Sequence, residues 1–407
     1  MTTHAAFDNL PIQSNQLLIN GQTLQQLTLR AGQTPFYAYD RAMIRRRVAE
    51  LRSALPDCIE LHYAIKANPM PAVVQLMASE VDGLDVASIG ELRTALDTTM
   101  DPQEISFAGP AKGDHELAAA IASGIMLNVE SAGELTRIRR IAGEFGLQPR
   151  IALRVNPDFE LKSSGMKMGG GAKPFGIDAE QIPALLDTLR DGPLQLCGLH
   201  IFSGSQNLRQ AAIEEAQLQT FALAKRLSDA WGKPFELINL GGGLGIPYFP
   251  GEQALDLPAV GKHLQSLIDD NAHWLGQTRL VMELGRYLVG EAGYYVCRVI
   301  ERKESRGQTY LMCDGGLHHH LANSGNFGQV LRKNYPVLIG NKAGLPSTET
   351  VTAQGPLCTP LDILADKVSL PEAAPGDWLV VLQSGAYGAS ASPASFLGHP
   401  TVVELLV

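Results

Sequence analysis

The chain has few charged residues, few aromatic residues and no excess of basic residues. Charged side chains make up 18% and aromatic side chains 6% of its 407 residues, and the formal net charge is −9. A negative balance of this kind is unfavourable for binding nucleic acid or an anionic membrane surface. No apolar run approaches the length of a membrane span. We therefore predict neither nucleic acid nor a membrane as a partner.

Cysteine is also scarce, and its pattern bears on the redox compartment. The five cysteines are odd in number and widely spaced, and none forms a CxxC pair. Disulfide frameworks are typical of small extracellular chains with paired cysteines. Residues 1–16 read as a loose leader without the basic and apolar regions of a secretory signal peptide. We expect reduced thiols and a cytoplasmic protein.

The chain does contain a large apolar fraction and a regular alternation of segment types. Hydrophobic residues reach 45% of the composition, which is enough for a substantial core. Eight β-rich segments alternate with helix-forming segments, and this pattern predicts an α/β fold with a (β/α)8 barrel entered through a helix at about 40–55. The predicted strands are residues 59–67, 83–88, 104–109, 125–131, 150–157, 197–203, 235–243 and 280–286.

Beyond residue 286 the helical periodicity fades and strand-like runs follow. Segments 293–304, 309–314, 348–355 and 378–384 predict a second, mostly β domain. An Asn20-Gly21 turn between apolar runs predicts a small N-terminal β element that joins it. The expected domains are thus a leader and β element at 1–38, a barrel at 39–285 and a β domain at 286–407.

Polar residues and glycines stand at the ends of six of the predicted strands, where a barrel keeps its chemistry. They are Lys66, Asp85, Arg154, His200, Ser203, Ser205, Gly241, Gly242, Gly243, Glu283, Gly285 and Arg286. A single polar strand end is usually structural, but six on one rim predict an active site.

Four of these features suggest specific tasks, each with an ordinary alternative. Lys66 at a strand end can be a Schiff-base nucleophile or a lysine with its stem packed and its amine in water. The glycines can expose backbone N–H groups to a phosphate, aided by a following helix, or form a tight turn. Glu283 beside Arg286 can hold the proton of a heterocyclic nitrogen or form a rim ion pair. His200 can stack on a flat cofactor or belong to the core. Together they predict a pyridoxal 5'-phosphate site.

The ordered motifs resemble the fold-type III pyridoxal-phosphate decarboxylases, the family of diaminopimelate, ornithine and arginine decarboxylases. The matching segments are residues 63–68, 85–91, 241–243, 283–286, 355–362 and 384–388 with His200 between them. The resemblance covers roughly residues 35–400. It implies an alanine-racemase-like barrel, a C-terminal β domain and a head-to-tail homodimer with shared active sites.

The resemblance also implies residue roles. Lys66 corresponds to the internal-aldimine lysine, His200 to the ring-stacking histidine and Glu283 to the partner of the pyridine nitrogen. Ser203 or Ser205, the three glycines and Tyr387 correspond to phosphate contacts, and Arg286 to a phosphate or substrate contact. Cys358 matches a thiol that the partner subunit contributes, followed by Asp362. Decarboxylation would then run through an external aldimine and a quinonoid, with Cys358 as the hypothetical proton donor.

The substrate is where the sequence departs from the well-known members. The run His318-His319-His320 replaces the segment that contacts the distal end of diaminopimelate, and strand alternation would place His318 and His320 on one face of a pocket. Three adjacent histidines are not a metal-ligand spacing, so no metal is predicted. The motifs look most like the exosortase-associated and butirosin-type decarboxylases, the latter acting on a carrier-protein-bound aminoacyl group. A free, diaminopimelate-like amino acid is the other expected substrate.

Some interpretations remain open at this point. Residues 158–176, after the fifth strand, form a Gly/Lys-rich insert that is either a lid or a tolerated surface loop. A racemase on the same barrel is the alternative activity, although the Cys358 motif favours a decarboxylase. A non-catalytic pyridoxal-phosphate carrier would lack the extra β domain, and a metal-dependent hydrolase would need a different histidine spacing.

Overall fold

A computed structural model describes residues 4–8, 10–160, 166–167, 169–327, 329 and 332–407. The chain divides into two compact units. One unit comprises Met1–Arg46, Pro247–Gln253 and Leu288–Val407, and is called the β unit below. The other comprises Arg47–Ile246 and Ala254–Tyr287, and is called the barrel unit.

The barrel unit contains eight parallel strands that close on themselves. The strands are Ile59–Ala64, Gly83–Val86, Ile105–Phe107, Met126–Val129, Arg150–Asn156, Gln195–Ile201, Leu237–Gly242 and Arg279–Leu284. The last strand pairs with the first, and the fourth pairs with the fifth, which completes the ring. A short strand, Ile177–Asp178, adds to the edge of the fifth strand. The predicted (β/α)8 barrel is confirmed, with every strand at its expected place.

Helices alternate with these strands, and side-chain caps define several of their starts. The α-helices of the chain are Leu24–Ala31, Arg41–Ala54, Pro71–Glu80, Ile89–Leu96, Asp114–Ser123, Ala132–Phe145, Ile182–Leu189, Gln210–Trp231, Leu257–Leu275 and Arg286–Val289. Ser88 and Ser131 each accept a hydrogen bond from the backbone N–H three residues later, at 3.2 and 3.0 Å. Such caps satisfy N–H groups that a helix start leaves unpaired, which fixes where the chain turns from strand end to helix.

Apolar side chains fill the interior of the barrel unit. Met126, Ala152, Cys197, Leu237 and Val281 come from five different strands and form one buried cluster. Strands that are buried on both faces read as continuous apolar runs, which is why the sequence marks them clearly. The polar strand ends therefore stand out against an apolar background.

The β unit is built from a mixed sheet and a small three-stranded sheet. The strands of the mixed sheet are Phe36–Tyr39, Gly293–Ser305, Gln308–Cys313, Val337–Ile339, Glu349–Gln354, Ile363–Leu370, Trp378–Val381 and Val403–Leu406. The small sheet consists of Ile12–Gln13, Gln16–Ile19 and Gln22–Thr23. Its turn residues Asn20 and Gly21 have φ of 46° and 76°, the left-handed pair that a two-residue hairpin turn requires.

Four strands of the mixed sheet were not predicted: Phe36–Tyr39, Val337–Ile339, Ile363–Leu370 and Val403–Leu406. In Ile363–Leu370 the pairing register shifts and Lys367 has a φ of 49°, so a bulge interrupts the alternation that marks a strand. Pro247–Gln253 also belong to the β unit, whereas the sequence placed these residues in the barrel.

None of the described helices is both long and apolar enough to cross a membrane.

Candidate active site

Lys66 stands just beyond the first barrel strand, in a single 3-10 turn at Ile65–Ala67. Its Nζ lies 3.4 Å from Oε1 of Glu283, at the end of the eighth strand. The Lys66 side chain is 43% exposed. The structure offers an accessible lysine side chain beside a buried carboxylate.

Glu283 links Lys66 to His200 inside the barrel unit. Its side chain is only 4% exposed, and its Oε2 lies 3.0 Å from Nε2 of His200 on the sixth strand. Burial alone would raise the pKa of Glu283, but the charges of Lys66 and Arg154 and the His200 hydrogen bond hold that pKa well below its ordinary value. Glu283 is therefore an anion at the base of this site. Lys66 is a cationic partner of Glu283, and the predicted pairing of Glu283 with Arg286 stays a prediction.

His200 leaves one ring nitrogen available. Its side chain is 2% exposed, and Nδ1 has no hydrogen-bond partner among the described residues. A neutral imidazole that donates from Nε2 to Glu283 keeps Nδ1 as an acceptor. The carboxylate of Glu283 thus holds Nε2 of the ring, and Nδ1 has no hydrogen-bond partner among the described residues.

The glycine run after the seventh strand permits close approach of neighbouring backbone. A Cβ on Gly242 would lie 2.0 Å from the carbonyl oxygen of Glu283, and one on Gly243 would lie 2.3 Å from that of Gly204. Gly243 also has a φ of 80°, which side chains disfavour. The prediction that a helix begins at these glycines is wrong, because the next helix starts at Leu257. The N–H of Gly241 is already used, donating to Oδ1 of Asn239 at 2.8 Å.

Unsatisfied polar atoms lie beside this glycine run in space. The buried Ser205 Oγ and Asn207 Nδ2 have no hydrogen-bond partner within the described part of the chain. Asn207 is tied to the loop by its backbone, whose N–H donates to the carbonyl of Gly243 at 2.9 Å. Ser203 is buried on the same segment. Two unpaired buried polar groups beside a glycine loop indicate a place for a polar ligand.

Arg154 reaches this site and is held by a residue that the sequence analysis missed. Its Nη1 lies 2.7 Å from Oε1 of Glu130, and both side chains are nearly inaccessible. Glu130 also accepts the N–H groups of Gly109 and Gly176 at 2.6 and 3.1 Å. Glu130 directly follows the fourth strand, and the strand-end rule would have found it had it been applied to that strand.

A second buried ion pair lies near Glu130 on the same side of the barrel unit. Lys112 Nζ is 2.7 Å from Oε1 of Glu134, and the two side chains are 1% and 3% exposed. Burial lowers the pKa of Lys112, while the two glutamates oppose that effect. This pair was also missed, because neither residue ends a predicted strand.

The remaining strand-end predictions have different surroundings. Asp85 is buried, and its Oδ1 accepts a short hydrogen bond from Ser106, which in turn accepts from Asn128. His62 Nδ1 lies 3.6 Å from the same carboxylate. Gly285 is needed for packing, since a Cβ there would lie 2.8 Å from that of Ala67. Arg286 is the first residue of the short helix Arg286–Val289 and is half-buried.

The insert at 158–176 is anchored where it is described, and residues 161–165 and 168 of it lie outside the described part. Asn156, at the end of the fifth strand, contacts the backbone of Gly170 and Gly171 at 3.0 and 2.8 Å. Glu130 holds Gly176. The lid interpretation stays a prediction.

Three further predicted site residues belong to the β unit. Tyr387 has a φ of 53°, a left-handed conformation that a bulky residue seldom adopts. Cys358 is exposed. Asp362 is 1% exposed, and its two oxygens accept the N–H groups of Leu317 and Leu357 at 2.6 and 2.8 Å. These hydrogen bonds fix the segment that precedes Cys358, and a substrate contact of Asp362 stays a prediction.

The histidine run is a turn and not a strand, so the predicted alternation is wrong. His320 is fully buried and its Nε2 lies 2.9 Å from Oγ of Ser384. Burial lowers the pKa of His320 to about 3 and that of His318 to about 4. His318 and His319, rather than His318 and His320, line a common cavity.

Comparison with known proteins identifies the class to which this site belongs. Residues 41–290 match the family described as "Pyridoxal-dependent decarboxylase, pyridoxal binding domain". The L-glutamyl-[BtrI acyl-carrier protein] decarboxylase of Niallia circulans is 38% identical over 92% of this chain and 89% of its own. The diaminopimelate decarboxylase of Methanothermobacter thermautotrophicus is 34% identical over 96% and 90%. A crystal structure of diaminopimelate decarboxylase from "m. jannaschi" has a TM-score of 0.89 at 26% identity, covering 98% and 93%.

The chain belongs to the pyridoxal-dependent decarboxylase family. It is an amino-acid carboxy-lyase that uses pyridoxal phosphate, and these relatives give no support to the racemase alternative. Its residues fit the cofactor on three observations. A lysine amine is accessible, a buried anionic glutamate lies beside it, and unsatisfied Ser205 and Asn207 atoms adjoin a glycine run.

Proposed function

We propose that the chain removes the α-carboxylate of an amino-acid substrate at the site formed by Lys66, Glu283 and His200. The observation that carries the proposal is the continuous contact from an accessible amine through a buried carboxylate to a buried imidazole, at 3.4 and 3.0 Å. In this assignment Lys66 holds the cofactor through a covalent bond to its amine. Glu283 would accept a hydrogen bond from the pyridine nitrogen of the bound cofactor, since its anionic form is stabilised here.

The other residues of the proposed site would orient the cofactor and neutralise the charge of its phosphate. Ser203, Ser205 and the glycine run would receive the phosphate, since the two serines are hydroxyl donors on the segment that the glycine run contacts. Tyr387 is a further residue assigned to the phosphate. His200 keeps Glu283 in place and presents its ring to the cofactor. Pyridoxal phosphate, when bound, supplies the electron-withdrawing ring that takes up the electron pair left by the departing carboxylate.

The proton that replaces the carboxylate is assigned to Cys358 of a second copy of the chain in a homodimer with shared active sites. The exposure of this thiol supports that role, because a proton donor from another subunit has to be accessible in one chain alone. Asp362 supports it indirectly by fixing the backbone of Leu357, the residue before Cys358. Arg286 is assigned to the substrate or to the phosphate.

The substrate is proposed to be an amino acid whose α-carboxylate is free, and two forms are supported by relatives of similar overall length. One form is an aminoacyl group on a carrier protein, as in the name of the 38% identical relative. The other is a free diamino acid such as diaminopimelate, as in the 34% identical relative. The carrier-borne form is favoured by the substituted histidine turn described above.

Carbon dioxide release from a panel of free and carrier-loaded amino acids tests the proposal. Wild-type protein with pyridoxal phosphate should release carbon dioxide from at least one substrate, and Lys66→Ala should not. Lys262→Ala, at an exposed lysine on the helix Leu257–Leu275, is the matched control and should behave as wild type. Release by Lys66→Ala at the wild-type rate, or racemisation without release, would contradict the proposal.

A further inference from the structure

The segment that carries Tyr387 has a strained backbone at two positions. Gln383 and Tyr387 have φ of 54° and 53°, in the left-handed region that residues with side chains disfavour. Such strain persists only where the surrounding structure holds the backbone in place. Residues 383–392, called the Tyr387 loop below, therefore need contacts from outside the loop. The histidine turn at residues 318–320, together with the residue that follows it, provides such contacts at both ends.

His320 holds the first end of the loop through Ser384. Its Nε2 lies 2.9 Å from Oγ of Ser384, and both residues are buried. Burial lowers the pKa of His320 to about 3, so the ring is neutral. The N–H of Asn323 donates to Nδ1 of His320 at 3.3 Å, so Nε2 carries the hydrogen and donates it to Ser384. Oγ of Ser384 in turn donates to the carbonyl of Val381 at 2.9 Å.

Leu321 holds the second end of the loop through Ser392. The backbone N–H of Leu321 donates to Oγ of Ser392 at 2.9 Å. That hydroxyl donates to the carbonyl of Gly388 at 2.7 Å. Gly388 directly follows Tyr387, so these two hydrogen bonds hold the backbone on the far side of the strained residue.

Tyr37 adds a contact between the histidine turn and the loop. Its hydroxyl donates to the carbonyl of His319 at 2.7 Å. A Cβ on Gly388 would lie 2.8 Å from the oxygen of that hydroxyl, so a glycine is needed for the loop to pass this close. The loop therefore packs against a hydroxyl whose position the histidine turn sets.

The aromatic surroundings of the His320 ring do not by themselves require a histidine. The ring centroid lies 5.9, 5.6 and 5.5 Å from those of Tyr37, Tyr295 and Tyr335. A phenylalanine would fill the same space without taking two nitrogens out of water. The hydrogen bond to Ser384 is therefore what the histidine contributes here beyond packing.

We propose that the histidine turn positions Tyr387 for the cofactor phosphate. His320 acts through Ser384 at one end of the loop. Leu321 acts through Ser392 at the other end. This inference rests on the proposed function, which assigns Tyr387 to the phosphate, and it adds the residues that hold Tyr387 in its strained conformation. His320 is in this account a positioning residue, because it acts on the loop and not on the cofactor.

Cofactor affinity and hydrogen exchange in variants of His320 test the inference. His320→Phe keeps the ring packing and removes the hydrogen bond, so the Kd of pyridoxal phosphate should rise by about fivefold to tenfold. The amides of residues 383–392 should exchange faster in the holoenzyme of this variant. His320→Gln keeps a donor and should restore most of the affinity. His273→Phe, at an exposed histidine of the barrel unit, is the matched control and should bind the cofactor as wild type.

Two double-mutant cycles show whether the effect of His320 passes through the loop. Ser384→Ala removes the same hydrogen bond from the loop side, so it should weaken cofactor binding about as much as His320→Phe, and the double variant little more than either. It also keeps the test available if His320→Phe does not fold. In a Tyr387→Phe background, His320→Phe should have little further effect on affinity. The phosphorus resonance of the bound cofactor should shift in the same direction in His320→Phe and Ser384→Ala.

Three outcomes would overturn the inference while leaving the decarboxylase proposal intact. They are unchanged hydrogen exchange of residues 383–392 in His320→Phe, unchanged cofactor affinity in His320→Phe where Tyr387→Phe weakens binding, and additive losses in the cycle of His320 with Ser384. Unchanged cofactor affinity in Tyr387→Phe would instead contradict the phosphate assignment in the proposed function. Hydrogen exchange in His320→Phe would then still decide whether the histidine turn holds the loop.

Discussion

The polar site of the barrel unit and the cavity of the β unit, which His318 and His319 line, differ in the charge of their buried side chains and in the partners of those side chains. In the barrel unit, Glu283 and Glu130 are buried carboxylates, and each lies within 3.4 Å of a cationic side chain, that of Lys66 or of Arg154. In the cavity of the β unit, the buried polar side chains are neutral, and His318 has no partner among the described residues. Fixed charges suit a reaction in which charge develops, whereas neutral side chains can be buried without a countercharge.

This difference also separates what each region loses when it is altered. Removal of one member of a buried charged pair leaves the other charge buried without a partner, so both activity and stability should fall. Removal of an unsatisfied nitrogen in the cavity leaves no partner unpaired, so stability near neutral pH should be kept while acid sensitivity changes. Substitutions in the two regions therefore test the comparison directly.

The largest effect is expected for Glu283→Gln. The amide keeps the shape of the carboxylate but removes the anion, so kcat should fall by roughly a few hundredfold, as when a preorganised electrostatic partner is lost. Single-turnover carbon dioxide release measures the change. Glu215→Gln, at an exposed position, serves as the control. A kcat within twofold of wild type would contradict a role of Glu283 in the reaction.

Glu130→Gln tests the buried charge that positions Arg154. Leaving Arg154 buried without its anion should lower the free energy of unfolding by roughly 3 kcal/mol, measured by denaturant titration. Glu144→Gln breaks the exposed ion pair between Glu144 and Arg140 and should leave the free energy of unfolding nearly unchanged, because water screens exposed pairs. A similar fall in the free energy of unfolding of the two variants would show that the buried ion pair stabilises the fold no more than the exposed pair does.

Cys358→Ala tests the proton donor proposed from the second subunit. Loss of a general acid should slow product formation by roughly 100-fold and relax the stereochemistry of proton delivery. Product formation in heavy water, with the configuration of the labelled carbon determined, measures both. Cys58→Ala, at another exposed thiol, is the control. Unchanged rate and unchanged stereochemistry in Cys358→Ala would end this role.

The smallest effect is a difference in acid sensitivity between the two regions. The unfolded chain binds a proton at His318 near pH 6.5, whereas the folded chain binds it only near 4. Stability should therefore fall as pH drops from about 6.5 to about 4. His318→Phe should flatten this slope by about 1 to 2 kcal/mol in denaturant titrations across that range. An identical slope in His318→Phe and His273→Phe would contradict the assignment.

The Glu283 charge behaves differently with pH. Its folded pKa lies below the ordinary value, so the stability that it contributes is present above about pH 4.3 and is lost only in stronger acid. Glu283→Gln should therefore leave the slope between pH 6.5 and 4.5 unchanged. A flattened slope in that range would mean that the barrel charges, and not the histidines, govern mild acid sensitivity.

The sequence predicted the barrel well because its strands are apolar on both faces and end on polar residues, as at Lys66 and Glu283. It predicted the β unit less well, since a bulge at Lys367 breaks the alternation in Ile363–Leu370. Glu130 was missed because only six strand ends were considered. Its role depends on the ion pair with Arg154, which lies 24 residues further along the chain.

Two site features could not be read from local patterns at all. The histidine run forms a turn, so the side chains that share the cavity are His318 and His319. Both oxygens of Asp362 accept hydrogen bonds from backbone N–H groups, those of Leu317 and Leu357, and Leu317 lies 45 residues away in sequence. Such contacts between distant segments are set by the fold and leave no periodic signal.

The most direct test of the account is to locate the bound cofactor on the chain. Holoenzyme reduced with borohydride and digested with a protease should yield one peptide carrying a phosphopyridoxyl group, and fragmentation by mass spectrometry should place that group on Lys66. Modification of the buried Lys112, or of any lysine other than Lys66, would contradict the central claim that the amine beside Glu283 holds the cofactor.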